Sequence, residues 1–214
     1  MIRMNSETLK YDILKELFNI SVGKAASILS EMINKRILLN VPNIEILGPK
    51  DVEFKIDNLI PKVLDGTLMV SSISFKEKLT GQANLIFPAE KMRTFINLCL
   101  SQEETIAQND MEFTDIDFDI IKEIGNIILN SIIGGIGNNL GIELNYTLPE
   151  VKVFDRIDFE NDIEKKDYLY ILMLYITFNI DDIEIAGAII INLTLESLNE
   201  LINKINKIED ELYG

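Results

Sequence analysis

The chain has 214 residues, 47% of them hydrophobic, enough to bury a sizeable core as one large domain or two small halves. Twenty basic residues against 35 acidic ones leave a net charge of −15, which argues against binding nucleic-acid phosphates or anionic membranes. One cysteine and no histidine exclude an internal disulfide, a Cys/His zinc site and any histidine-based triad, so acid–base work falls to carboxylates, amides or water.

Residues from roughly 6 to 34 read as one long helix, with Leu9, Ile13, Leu14, Leu17 and Phe18 on its apolar side and Gly23 as a point where it bends or splits. After Pro42 the segment NIEILGPKDVEF reads as a strand followed by an irregular connection through Asn58 and Pro61. Roughly Gly66 to Phe75 and Gly81 to Phe87 form two strands of an antiparallel hairpin across the polar KEKLT. Pro88 opens the helix PAEKMRTFINLCL, where Met92, Phe95, Ile96 and Cys99 recur at helical spacing and Cys99 is a core thiol.

The same order then returns. A helix from roughly Thr114 to Leu140 leads to a strand around Leu148 to Phe154 and an acidic connection, FENDIEKKD. The strands YLYILMLYITF and IEIAGAIIINL follow; they lack clean alternation, so both faces of that part of the sheet are expected to be covered. LESLNELINKI closes the chain as the counterpart of PAEKMRTFINLCL, and Gly81 and Gly187 hold matching places before the last strand of each half. No Pro-, Gly- or Ser-rich linker separates the halves. The expectation is therefore one α+β domain over 1–214, a two-layer sandwich of two repeats at roughly 6–105 and 113–210. A mostly antiparallel sheet would carry long helices about an approximate two-fold axis. The charged N-terminus does not read as a signal peptide and no uninterrupted apolar run reaches membrane-spanning length, so a cytoplasmic location is expected.

Each long helix carries the same polar stripe. In the first, Asp12, Glu16 and Asn19 are followed by Pro42, with 22 residues between Asn19 and the proline. In the second, Asp119, Glu123 and Asn126 are followed by Pro149 at the same interval. Positions i, i+4 and i+7 of a helix lie within about 60° of one another, so each copy aims two carboxylates and an amide along one face. One such stripe alone reads as a solvated helix surface, whereas the repetition of acid, acid, amide and distant proline marks a candidate active face. Two other patterns read as packing: SVGKAAS lacks the upstream glycine and the Ser/Thr of a phosphate loop, and GGIGNN has no strand before it.

With these residues in view, the chain resembles the CheC family of chemotaxis phosphatases, the group that includes CheX and FliY. Two motifs and an end just after the second repeat's helix make CheC the nearest match. The resemblance implies a phosphatase acting on the aspartyl phosphate of a CheY-like response regulator. It implies that Glu16 and Glu123 dock on a lysine of that partner, and that Asn19 and Asn126 orient the attacking water. Asp12 and Asp119 would support the site, and Pro42 and Pro149 would shape the chain after each helix. The family implies no metal or cofactor of the chain's own, with Mg supplied by the regulator, and it implies a CheD-like receptor deamidase as a possible second partner. A non-catalytic adaptor for the phosphorylated regulator is the alternative, and it would dispense with the asparagines. The two sites are expected to differ, because Gly23, Ala26 and Ser27 continue the first stripe where Asn130, Ile133 and Gly134 continue the second.

Overall fold

A computed structural model describes residues 6–48, 66–100, 113–164, 170–181 and 183–213. The connection expected through Asn58 and Pro61 lies outside them. Helix α1 (Ser6–Ile33) is followed by strand β1 (Ile37–Leu47), the hairpin β2 (Thr67–Glu77) and β3 (Gly81–Pro88), and helix α2 (Ala89–Cys99). The second unit is α3 (Asp115–Leu140), β4 (Leu144–Tyr146), β5 (Glu150–Asp155), α4 (Arg156–Glu164), the hairpin β6 (Tyr170–Ile180) and β7 (Ile183–Leu193), and α5 (Leu195–Tyr213).

All strand pairs among the described residues are antiparallel, in the order β1-β6-β7-β3-β2-β4, with β5 also on β2. Each unit thus lends the strand after its long helix to the other unit's hairpin: β1 pairs β6, while β4 and β5 pair β2. The central β3–β7 register is symmetric. Asn84 and Ile190, 106 residues apart, face each other and share a hydrogen bond, and Gly81 and Gly187 have that same separation. Phe75 packs on Gly81 and Phe87 on Gly187 so closely that any side chain there would strike the ring.

Both long helices lie on one face of the sheet. Phe18, Val22 and Leu29 of α1, Ile124, Ile128 and Ile132 of α3, Phe95 of α2 and Leu201 of α5 enter one core with Ile73, Phe87, Leu174 and Ile189 of the strands. Each fully buried side chain of this kind contributes about 1.5–3 kcal/mol. The two helices meet through small residues: buried Ser21, its hydroxyl bonded to Leu17 O at 2.8 Å, abuts Gly135. The SVGKAAS and GGIGNN segments therefore pack against each other at this point. Helix α3 is long and apolar enough to cross a membrane by composition, but half of its most apolar window is buried in the protein and its outer side bears Asp119 and Glu123.

Three expectations need correction. The acidic FENDIEKKD is not simply a connection. Helix α4 covers part of it, and Phe159 and Ile163, one turn apart, seat it on Leu68, Val70, Ile171 and Met173 on the sheet's second face. Strand β1 begins at Ile37, ahead of Pro42, since an edge strand tolerates a proline where its register slips, here between Asn40 and Asn43. Gly23 does not split α1, which is helical throughout. Cys99 is partly buried beside the core, and burial pushes its thiol up to about 11, so it is neutral and unreactive as expected of a core thiol.

Candidate functional site

Thr114 caps α3 in a reciprocal box: its Oγ1 accepts the Asp117 N–H at 3.3 Å, and the Asp117 carboxylate accepts the Thr114 N–H at 2.7 Å. Arg93 of α2 donates to that carboxylate at 2.9 Å while lying over the Phe113 ring. Burial alone would raise the Asp117 carboxyl's pKa, but the Thr114 N–H and hydroxyl and the Arg93 cation outweigh it and hold it below the usual carboxylate range. In α1 the matching place is taken by Lys10, which lines a groove of about 330 Å³ with Tyr11, Leu14, Ile46 and Ile202.

One turn further along, the two stripes come out alike. Asp12 and Glu16 on α1, and Asp119 and Glu123 on α3, are exposed, and none is hydrogen-bonded or ion-paired to another described residue. Asn19 and Asn126 are half-buried at the inner edge of each stripe. Each stripe thus places its free carboxylates outermost with an amide behind them.

The amides are held differently. Asn19 Oδ1 accepts the backbone N–H of Val41 at 3.0 Å. That N–H is available because Val41 and Pro42 fall in the register slip of β1 and have no ladder partners. The proline that follows the first stripe thus marks the bulge that anchors its asparagine. Its counterpart Pro149 is buried in the break between β4 and β5, where the register on β2 also slips by one residue. Among the described residues no hydrogen bond joins the backbone before it to Asn126. Leu148 is 77% exposed, against 1% for Val41, and Asn126 Oδ1 instead accepts from Asn130 Nδ2 at 2.6 Å. Both asparagines therefore have the oxygen fixed and the NH₂ group without a partner among the described residues.

Val41 and Asn130 are the two site residues that the stripe reading did not assign. Nothing in the side chain of Val41 signals its role; the only clue is its place before Pro42. Asn130 was visible as the next polar residue on the stripe, four positions after Asn126, where helical side chains meet. The expected contrast one turn beyond the asparagines also needs correction: Ala26 and Ile133 are 5% and 1% exposed and both face the core. The surface difference at this turn reduces to Gly23, which has open space around it, against Asn130. Farther along, α1 exposes Ile28 and Met32, and Ile20 stands beside Asn19. Helix α3 instead runs into a polar cleft of about 570 Å³ lined by Gly134, Asn138, Glu143, Asn145 and Glu77. Among the described residues no three carboxylates or thiols cluster together.

With the geometry in place, the chain can be compared with known proteins. Residues 10–46 match the CheC-like family, and that segment runs from α1 through β1 and contains Asp12, Glu16, Asn19, Val41 and Pro42. Over 149 residues the chain is 27% identical to the CheY-P phosphatase CheC of Bacillus subtilis (strain 168); the match takes in 66% of this chain and 65% of that protein. In fold it is similar to the crystal structure of Thermotoga maritima FliY, with a TM-score of 0.70 at 18% identity over 96% of this chain and 99% of that one. It is also similar to FliM in its complex with SpeE from H. pylori, with a TM-score of 0.67 at 13% identity over 96% and 97%. The resemblance carried by the two stripes is thereby borne out: the chain is CheC-like in sequence around the first stripe and FliY-like in fold over nearly its whole length.

Proposed function

We propose that the protein is a phosphatase that removes the aspartyl phosphate of a CheY-like response regulator, and that α1 and α3 each carry one site. The observation that supports this most is the fixed amide at each stripe. Asn19 and Asn126 keep an unpartnered NH₂ behind an exposed glutamate, while the oxygen is pinned by Val41 N–H in one case and Asn130 in the other. Glu16 or Glu123 would meet a lysine at the rim of the regulator's pocket and bring the helix in. The pinned Oδ1 retains a second lone pair that can accept one hydrogen of a water, while Nδ2 donates toward a phosphoryl oxygen. Water so held attacks in line; its oxygen bonds to phosphorus, the bond from phosphorus to the aspartyl oxygen breaks, and inorganic phosphate leaves the free carboxylate behind. Phosphoryl transfer needs positioning and charge stabilisation more than a base, so a chain without histidine is equipped for it. Asp12 and Asp119 shape the field around each glutamate, and the regulator's own acidic pocket carries the Mg. The cytoplasm is the compartment where such a partner is met, and a CheD-like deamidase is a second partner suggested by the family resemblance.

The test is loss of phosphate from a purified, phosphorylated CheY-like regulator with and without the protein. The wild type is expected to accelerate it, and Asn19→Ala with Asn126→Ala to slow it by about a hundredfold or more while circular dichroism and regulator binding are retained. A double variant as fast as wild type would overturn the mechanism. Binding without acceleration by the wild type would leave an adaptor.

A further inference from the structure

We propose that Asn130 is a positioning residue for the second site: it sets the orientation of the Asn126 amide as the Val41 backbone N–H sets that of Asn19. This rests on the phosphatase reading for its kinetic consequence but not for its geometry. Asn130 stands one helical turn beyond Asn126, and its Nδ2 donates to Asn126 Oδ1 at 2.6 Å. An amide can turn over and exchange its oxygen and nitrogen, and only one of the two orientations leaves Asn126 Nδ2 facing outward. In the first site a backbone N–H chooses that orientation, because a main-chain donor cannot accept. In the second site no hydrogen bond from the backbone before Pro149 reaches Asn126, and the Asn130 amide takes over, donating through Nδ2 while its own Oδ1 is buried.

What surrounds Asn130 argues against a merely structural part. Its own Oδ1 is buried without a hydrogen-bond partner, which is unfavourable, and asparagine is a poorer helix former than alanine. A side chain kept only to hold the helix would do better as alanine. The first site has Gly23 at the matching place with open space around it, so nothing about the packing of the two helices demands an amide there.

The kinetic test uses the full-length protein with Asn19→Ala, so that only the second site works. Adding Asn130→Ala is expected to lower kcat by about two- to tenfold with KM unchanged, while Tm stays level or rises. Asn130→Gln, which keeps a donor at the same turn, should restore most of the rate. Asn130→Asp has no donor when ionised and can only accept from Asn126 Nδ2, so it should fall below the alanine variant. In a double-mutant cycle the losses from Asn126→Ala and Asn130→Ala should be strongly non-additive. An unchanged kcat in Asn130→Ala, or a fall in Tm with no rescue by glutamine, would overturn the proposal.

A second readout needs no activity. In side-chain amide NMR of the free protein, one Asn130 Nδ2 proton should be shifted downfield and slow to exchange, and should return to the ordinary position in Asn126→Ala. An Asn130 signal indifferent to Asn126→Ala would overturn the positioning. If the wild type dephosphorylates nothing, the functional reading fails, and the spectrum alone decides whether Asn130 holds Asn126.

Discussion

The same acid, acid, amide stripe is built twice, and the two helices support it in different ways. In helix α1 the asparagine is tied to the backbone of a sheet strand through Val41. Helix α3 is fixed at its start by Thr114, Asp117 and Arg93, yet its asparagine is held only by a neighbour on the same helix. The first face is flanked by exposed Ile20, which offers apolar area to a partner, and the second by Gly134, Asn138 and a polar cleft. A repeated motif is thus no guarantee of a repeated site, because the residues that orient it come from elsewhere in the fold and need not repeat with it.

The docking glutamates give the largest way to test that contrast. Glu16→Lys with Glu123→Lys should weaken binding to a stably phosphorylated regulator analogue by about a hundredfold, since each carboxylate facing a lysine becomes a like-charge clash. Glu16→Lys should account for the larger share, because the apolar flank of the first face adds binding area that the second lacks. Unchanged affinity in the double variant would remove the glutamates from docking.

A smaller effect is expected at the helix starts. Asp117→Asn should destabilise the protein by about 2 kcal/mol in urea denaturation, since it removes the carboxylate's ion pair with Arg93 and weakens the cap, whereas Lys10→Ala at the matching place should cost under about 0.5 kcal/mol. The Asp117 carboxyl is held below its unfolded value, so its contribution is fully present above a pH of about 4 and is lost as pH falls through the lower folded value. The gap between wild type and Asp117→Asn should therefore close as the solution is acidified below that point. A gap that is constant with pH would assign the stabilisation to packing instead.

The parts of the molecule that are periodic were legible in the sequence. Long helices, hairpins and the buried runs of β6 and β7 follow from apolar spacing, and both stripes follow from 100° per residue. Helix α4 was not legible because its surface is acidic and, of its described side chains, Phe159 and Ile163 are the ones packed on the sheet, too few for a period to emerge. Pro42 suggested the beginning of a strand because proline ordinarily bounds one, and only the pairing with β6 places it inside a bulge. The anchors of the two amides divide along the same line: Asn130 lies on the stripe and can be read there, but the Val41 N–H carries no side-chain signature and becomes visible only when β1 is laid beside α1.

The central claim, two sites of the same chemistry held unequally, is tested most directly by measuring Asn19→Ala and Asn126→Ala one at a time. The measurement is the rate of phosphate loss from a phosphorylated CheY-like regulator under single-turnover conditions. Each variant should keep part of the activity, and Asn19→Ala should lose more, because the first site has the backbone-anchored amide, the open approach at Gly23 and the apolar flank. Equal fractional losses, or no loss in either variant, would contradict the account.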